Sequence, residues 1–144
     1  MIEQVIITPL KQIIDDKGKI LHMLRADSVL FNKFGEIYFS LVNPGVVKAW
    51  KKHKLSTQLF AVPVGEILLV LYDNRENSKT KEEIQIINIG ESNYKLVRIT
   101  PMVWYDFKGI SKNAALIANC TDIPHDPLEL ERSDVNNENI LYVW

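Results

Sequence analysis

The chain has 144 residues, of which 47% are apolar and 24% charged, with a formal net charge of −1 and a pI of about 6.3. This length and apolar content predict one domain, residues 1–144, with a substantial core, and the charge excludes a basic field that would bind nucleic acid or an anionic membrane. The lone Cys120 excludes an internal disulfide, and the chain shows neither a signal peptide nor a 20-residue apolar run, so we expect a cytoplasmic protein.

Short runs rich in Val, Ile, Tyr and Phe alternate with turn signals along the chain, which predicts β structure almost throughout. The predicted strands are residues 18–25, 36–42, 46–53, 59–63, 66–73, 82–89, 94–99, 114–121 and 140–144. No segment of about 12 residues has a helical period, and we expect at most one or two helical turns, over residues 126–134. Nine short strands with regular turns predict a β-sandwich or a rolled barrel.

Side chains alternate between the two faces of a strand. Over residues 46–53, alternation places Val47, Ala49, Lys51 and His53 on one face and Lys48 on the other. The first face is small and apolar until its last two members, as expected of an inward face whose open end lines a pocket. From alternation alone, the alternative that Lys51 and His53 both lie at the rim in water stays open.

The segment 45–65 begins and ends with glycine and resembles the first cupin motif, in which two histidines and a glutamate bind a metal ion inside a jelly roll. Its ligand positions here hold Lys51, His53 and Gln58. The last histidine of the second cupin motif has Tyr105 as its counterpart, within TPMVWYDF. The resemblance implies that these four side chains meet in one cavity. A lysine ammonium repels a cation, so we expect no metal.

Six segments that follow one another along the chain resemble the dTDP-4-dehydrorhamnose 3,5-epimerases and related nucleotide-sugar epimerases. They are GEIYFS (35–40), NPGVVKAW (43–50), GEILLVLYDNR (65–75), PMVWYDF (101–107), ANCTDIPHDP (118–127) and ILYVW (140–144). The resemblance implies an all-β, cupin-type jelly-roll β-barrel, a homodimer, no metal and no other cofactor. It also implies a pocket for a nucleotide-linked 4-keto-6-deoxy sugar and a role in surface polysaccharide biosynthesis.

The chain departs from the pattern of this family at its catalytic positions. The family's base is a histidine, and Lys51 occupies its position; the family's acid is a tyrosine, and Ala118 occupies its position. Tyr105 replaces a further histidine of the family. The nearest match to the acid that supports the base is Asp134, and Gln58 is the loose equivalent of a substrate-binding lysine.

Epimerisation next to a ketone requires a base for the α-proton, stabilisation of the enolate oxygen, and an acid on the other face. Two assignments stay open. Lys51 is the base if burial lowers its pKa, or it stays charged beside the enolate oxygen and His53 is the base. Tyr105 is the remaining acid or oxygen donor. The catalytic residues predicted from the sequence are therefore Lys51, His53 and Tyr105.

Four further residues are predicted to contact the substrate. Lys48 is expected to reach phosphate from the opposite face of its strand, and Arg75 either contacts phosphate or pairs with Asp73. Gln58 and Asp134 complete the set by family resemblance. The six acids between residues 122 and 138 are interpreted as a solvated edge or lid rather than a cation site.

Three functions follow from these features. The first is an isomerase that acts on a nucleotide-linked deoxysugar. The second is a cupin that binds such a compound without turning it over, because Lys51 and Ala118 replace the family's base and acid. The third is a structural partner of another sugar enzyme.

Overall fold

The computed structural model describes residues 1–140 and 142–144, and within them the chain forms twelve β-strands and no helix. The described residues therefore contain no helix that could cross a membrane. The strands are β1 (Ile6–Pro9), β2 (Gln12–Asp15), β3 (Gly18–Leu21), β4 (Glu36–Val42), β5 (Val47–His53), β6 (Gln58–Val64), β7 (Glu66–Asp73), β8 (Ile84–Gly90), β9 (Lys95–Ile99), β10 (Val103–Gly109), β11 (Ala115–Thr121) and β12 (Leu130–Arg132).

Ten of these strands form two antiparallel five-stranded sheets that face each other. The first sheet has the order β1-β9-β6-β11-β4, and the second has the order β12-β5-β10-β7-β8. Strands β2 and β3 form a separate hairpin. Because most neighbouring strands in the two sheets are not consecutive in sequence, the chain crosses repeatedly between the sheets, as in a jelly roll.

The main core lies between the sheets and is made of their inward-facing side chains. Phe60 of β6, Leu71 of β7, Phe107 of β10 and Ile117 of β11 belong to it and are almost completely buried. Two smaller clusters cover the outer faces. Trp50 and Trp104 pack beneath the C-terminal segment, and Leu59, Leu96 and Cys120 pack beneath the segment that precedes β4.

The tight turn between β6 and β7 requires a glycine. Gly65 has a φ of 73°, in the left-handed region that L side chains rarely adopt. A Cβ added at Gly65 would lie 2.8 Å from the Cα of Ala115 in β11. The turn therefore brings two core strands together at a distance that only glycine permits.

The strand predictions are confirmed over most of the chain. Strands β4 and β7 begin and end at the predicted residues, and β3, β5, β6, β8, β9 and β11 differ only at their ends. Strands β1, β2, β10 and β12 were not predicted. Strand β12 is short and charged, and it forms because the edge of β5 offers it hydrogen-bonding partners.

Two predictions near the C-terminus are wrong. Residues 126–134 form a turn followed by β12, not helical turns, because Leu130–Arg132 pairs with the edge of β5. Residues 140 and 142–144 form no strand; their aromatic side chains cover the outer face of the second sheet instead. Leu141, which belonged to that predicted strand, lies outside the described residues.

A β-bulge in β5 changes which of its side chains point inward. Tyr105 pairs with Lys51 and Phe107 pairs with Lys48, so three steps along β5 face two along β10. A bulge of this kind interrupts the regular alternation of side chains. Lys48 therefore shares the inward face with Lys51.

A hydrogen bond shows that Lys48 points inward. Its Nζ donates to Ser40 Oγ of β4, in the opposite sheet, over 2.8 Å. Val47 pairs with Lys108 on the outer face. The predicted common face of Val47, Lys51 and His53 is thus wrong at Val47, and the expected position of Lys48 on the opposite face is wrong as well.

Candidate active site

A cavity of about 400 Å³ opens between the two sheets. Strand β4 supplies one wall, strands β5 and β10 supply the other, and the segment around β12 closes the side. The lining residues are Glu36, Tyr38, Lys51, His53, Tyr105, His125, Leu130 and Arg132. A volume of this size suits a small-molecule ligand.

His53 and Glu129 form a hydrogen-bonded pair in this cavity. The Nδ1 of His53 lies 2.7 Å from Glu129 Oε2, and both side chains are largely buried. The other carboxylate oxygen, Oε1, accepts hydrogen bonds from the backbone N–H groups of Leu55 at 3.0 Å and Ser56 at 2.7 Å. Three donors thus fix the carboxylate, and its acceptor oxygen fixes the His53 proton on Nδ1.

The remaining ring nitrogen of His53 faces a phenol. Its Nε2 lies 3.1 Å from the hydroxyl of Tyr105, and the two rings are nearly parallel, at 6°. With Nδ1 donating to Glu129, Nε2 carries the lone pair that accepts from the Tyr105 hydroxyl. His53 is therefore oriented as a general base with its basic nitrogen directed towards Tyr105.

The pKa shifts at this pair agree with that role. Burial lowers the pKa of His53, and the hydrogen bond and charge of Glu129 partly oppose this effect, which leaves the imidazole neutral near pH 7. Burial alone would raise the pKa of Glu129, but its hydrogen bonds from Ser56, His53 and Leu55 hold that pKa below its ordinary value. The pair is thus a carboxylate beside a neutral histidine.

Lys51 and Tyr105 lie side by side as register partners on β5 and β10. Burial, followed by the charges of Arg132 and Lys48, lowers the pKa of Lys51. Burial also raises the pKa of Tyr105, so its hydroxyl keeps its proton at neutral pH. The cavity therefore combines a neutral imidazole, a protonated phenol and the basic side chains of Lys51 and Arg132.

The end of β5 that carries His53 is held by a strained turn. The backbone N–H of Met102 donates to the carbonyl of His53 over 2.7 Å, and Met102 has a φ of 67°. A non-glycine residue in this region is costly and persists only where its surroundings determine it. The turn between β9 and β10 thus fixes the backbone of the base.

The comparisons with known proteins point in one direction. No family model matches the chain. The chain is 31% identical over 146 residues to the spore coat polysaccharide biosynthesis protein SpsL of Bacillus subtilis, with 100% of this chain and 97% of that protein covered. It is 36% identical over 108 residues to Agl13 of Haloferax volcanii, described as a probable low-salt glycan biosynthesis epimerase, with 73% and 69% covered.

A solved structure is more similar still. The crystal structure of a dTDP sugar isomerase from Desulfovibrio desulfuricans G20 shares 51% identity with this chain and superposes with a TM-score of 0.97, over 99% of this chain and 92% of that one. The chain belongs to the sugar-nucleotide epimerase and isomerase family. The predicted family and the cupin-type jelly roll are thereby confirmed.

Of the residues predicted to be catalytic, Lys51, His53 and Tyr105 all line the cavity of this family member. Lys48 is not among the lining residues; it lies on the same inward face, bonded to Ser40, as a neighbour that lowers the pKa of Lys51. The sequence therefore placed these three residues in one cavity, and their catalytic roles stay proposals.

Gln58 does not line the cavity. Only 1% of its surface is exposed, and both ends of its amide are used: Nε2 donates to Ser56 Oγ at 2.8 Å, and Oε1 accepts from Asn119 Nδ2 at 2.6 Å. Its position supports residues behind the cavity wall rather than a contact with substrate.

Arg75 lies outside the cavity that contains His53 and contacts other residues. Its guanidinium makes two hydrogen bonds of 2.8 Å to Asp73, which is fully buried, and a third to the carbonyl of Glu3. It borders a separate hollow of about 730 Å³ whose lining contains no histidine or tyrosine. The pairing with Asp73 is the alternative that the sequence left open for Arg75.

Asp134 and Ala118 do not supply the groups that the family pattern places there. Asp134 is exposed, and its Oδ1 accepts from the backbone N–H of Asn136 in a local turn. The carboxylate that is hydrogen-bonded to His53 belongs to Glu129. Ala118 pairs with Ala61 on the outer face of its sheet, away from the cavity.

The sequence analysis missed Glu129 and Tyr38. Glu129 was counted only among the acids of the solvated tail, because nothing in its local sequence marks it as buried. Tyr38 lies two residues after Glu36 within GEIYFS, where a period of two places both on one face of β4. The alternation of side chains along β4 could therefore have predicted that this strand lines the cavity opposite β5 and β10.

Within the described residues, no group of three or more His, Cys, Asp or Glu side chains has the geometry to hold a metal ion. The charged side chains from β5 and β12 that line the cavity, Lys51 and Arg132, are cations. Glu36 of β4 is an acid of the same lining, so the side formed by β5 and β12 is the part of the cavity that attracts anionic groups.

Proposed function

We propose that this protein is an enzyme that epimerises or isomerises a nucleotide-linked 4-keto-6-deoxyhexose, with dTDP as the nucleotide, in polysaccharide biosynthesis. The observation that carries the proposal is the His53–Glu129 pair, with the free ring nitrogen of His53 facing Tyr105 inside a cation-lined cavity. The similarity to a dTDP sugar isomerase over 99% of the chain supports the nucleotide.

In this proposal His53 is the base. Its Nε2 takes the proton from the carbon next to the ketone, and Glu129 stabilises the imidazolium that forms. Lys51 remains an ammonium and stabilises the enolate oxygen, since the fixed dyad makes His53 the better base of the two. Tyr105 donates to His53 Nε2 in the free enzyme and turns its hydroxyl to the substrate oxygen when the sugar is bound.

The diphosphate of the substrate is proposed to bind at the cationic side of the cavity. Arg132 is exposed at the cavity wall, and its guanidinium can form paired hydrogen bonds to phosphate. Lys48 is also directed inward, and its ammonium is held by Ser40. Lys48 thus stays a candidate for the nucleotide end of the site, and Arg132 is proposed there in place of Arg75.

We also propose that the protein is a homodimer. Strand β4 is the edge strand of the first sheet, and its outer face carries Ile37, Phe39 and Leu41, of which 48%, 63% and 62% are exposed. An apolar stripe on a sheet edge is unfavourable in water and suits a self-complementary interface. Light scattering coupled to size exclusion measures the mass, and a monomer at micromolar concentration would contradict the dimer.

A deuterium-exchange experiment tests the proposed activity. The protein is incubated with dTDP-4-keto-6-deoxyglucose in D₂O, and the protons on C3 and C5 are followed by NMR. Loss of either signal with inversion supports an epimerase, and loss with movement of the keto group supports an isomerase. Tight binding without exchange would support a non-catalytic binding cupin instead, which the alanine at position 118 favours.

A further inference from the structure

The cavity has two facing walls with different chemistry. Lys51, His53 and Tyr105 all come from the second sheet, on β5 and β10. The wall formed by the first sheet contributes Tyr38 and Glu36 of β4. A sugar ring bound between the sheets would present one face to His53 and the other to Tyr38.

The hydroxyl of Tyr38 has its proton free for this space. Asn119 Nδ2 donates to the Tyr38 oxygen over 2.7 Å, and the orientation of the amide is fixed because its Oδ1 accepts from the backbone N–H of Leu59 at 3.2 Å. An amide nitrogen cannot accept a hydrogen bond, so the Tyr38 oxygen is the acceptor. Its own proton has no acceptor among residues 1–140 and 142–144.

A buried chain of hydrogen bonds connects Tyr38 to the carboxylate behind the base. Asn119 also donates to Gln58 Oε1 at 2.6 Å, and Gln58 donates to Ser56 Oγ at 2.8 Å. The backbone N–H of Ser56 then donates to Glu129 Oε1 at 2.7 Å. Asn119, Gln58 and Ser56 are all at least 95% buried, so the chain holds the two walls in a fixed relation.

Resting on the proposed function, we propose that Tyr38 is the proton donor on the sugar face opposite His53, and that Asn119 positions it. His53 Nε2 takes the α-proton, and the C–H electron pair becomes the enolate. The enolate then takes the Tyr38 hydroxyl proton at the same carbon from the other face, and the ketone reforms. Tyr38 is left as a phenolate and His53 as an imidazolium, and proton exchange with water restores both.

The surroundings of Tyr38 raise its pKa overall, so its hydroxyl is protonated and can act as a donor when the enolate forms. Burial raises the pKa of Tyr38, whereas the hydrogen bond from Asn119 lowers it by stabilising the phenolate. In this proposal Tyr38 takes the role of the tyrosine that the family pattern has at the position of residue 118. Tyr38 supplies a phenol from the neighbouring strand β4, whereas Ala118 lies on the outer face.

The test compares exchange with inversion in the Tyr38→Phe variant, using dTDP-4-keto-6-deoxyglucose in D₂O. We expect deuterium uptake within about threefold of the unsubstituted protein, because His53 still removes the proton and returns a deuteron to the same face. We expect inversion to fall at least about 100-fold, the loss typical of a missing general acid. Tyr94→Phe is the matched control: this phenol is buried in the cluster on the outer face of the same sheet, and both rates should be unchanged.

A second variant, at Asn119, keeps the Tyr38 phenol but gives its hydroxyl proton an acceptor. In Asn119→Asp, the new carboxylate accepts from the Tyr38 hydroxyl instead of donating to it, so inversion should fall at least about tenfold while exchange persists. Inversion within tenfold of normal in Tyr38→Phe would overturn the proposal. A parallel fall of exchange and inversion would do so too, because it would show a role in binding or folding.

The unsubstituted protein separates this proposal from the proposed function. Exchange without inversion in that protein would leave His53 as a base and overturn Tyr38 as the acid. Absence of both exchange and inversion would overturn the proposed function, and the role of Tyr38 with it.

Discussion

The substitution Glu129→Gln tests the base more sharply than removal of the histidine would. Glu129 Oε1 accepts from two backbone N–H groups, those of Leu55 and Ser56, and Oε2 accepts from His53 Nδ1. In the variant the single amide oxygen must face the two backbone donors, because a backbone N–H can only donate. The amide NH₂ then faces His53 Nδ1.

Replacing one carboxylate oxygen by an amide nitrogen reverses the tautomer of His53. His53 Nδ1 must accept from the new amide, so the neutral ring carries its proton on Nε2, the nitrogen that should receive the substrate proton. The variant also loses the negative charge that raises the pKa of His53 against the effect of burial. We expect the rate of C–H exchange to fall about 10²–10⁴-fold, the range attributed to a general base.

The assay is single-turnover deuterium uptake into the keto sugar, followed by NMR between pH 5 and 9. The unsubstituted protein should gain activity with rising pH as His53 loses its proton, with a midpoint below the ordinary value of about 6.5. Glu131→Gln is the matched control. Glu131 lies two residues further along the chain, in β12, and pairs with Lys52 on the outer face, over 2.8 Å. Equal rates in the two variants would refute the assignment of Glu129.

Three further substitutions have outcomes that the contacts determine. Lys51→Met should abolish exchange, whereas Lys51→Arg, which cannot act as a base, should retain part of it if residue 51 stabilises the enolate by charge; complete loss in both would favour Lys51 as the base. Arg75→Ala should lower the free energy of unfolding in urea by about 3 kcal/mol, because it removes the cation that pairs with the buried Asp73. An increased KM would restore Arg75 as a phosphate ligand. Asp106 is fully buried, burial raises its pKa to about 7, and it accepts from Trp144 Nε1. The folded state thus favours the protonated acid, and the free energy of unfolding should fall by up to about 4 kcal/mol as the pH rises from about 4 to 7. Asp106→Asn should flatten that dependence, and an unchanged pH profile would contradict this reasoning.

Local sequence patterns predicted the fold because the long strands carry their own signals. The limits of β4 and β7 follow from apolar runs bounded by turn residues, and both matched the structure residue for residue. Strand β10 was missed although its aromatic segment had been recognised as part of the site, since TPMVWYDF was read as a motif and not as a strand. Strand β12 has no apolar alternation of its own, and only the free edge of β5 makes it a strand.

The sequence predicted those residues of the site whose positions follow from the pattern of a single strand. His53, Lys51 and Tyr105 were located by spacing and resemblance, and all three line the cavity. Glu129 was not predictable in the same way, because its burial depends on β12 docking beside β5. Its partner is 76 residues away in sequence, and a separation of that length leaves no local pattern.

The bulge in β5 determines the charge of the cavity. Regular alternation would direct Lys48 outward and place only one lysine of this strand at the site. The extra residue between the two paired positions turns both Lys48 and Lys51 inward, towards β4 and the space below it. Lys51 and Arg132 then line the cavity, with Lys48 beside Lys51 on the inward face. Under the proposed function each positive charge lowers the cost of holding an enolate or a diphosphate there. The same crowding explains why the pKa of Lys51 falls through its neighbours as well as through burial. Lys48→Met removes the ammonium group that the bulge directs inward, so it should leave the barrel folded and weaken binding of dTDP, as measured by calorimetry.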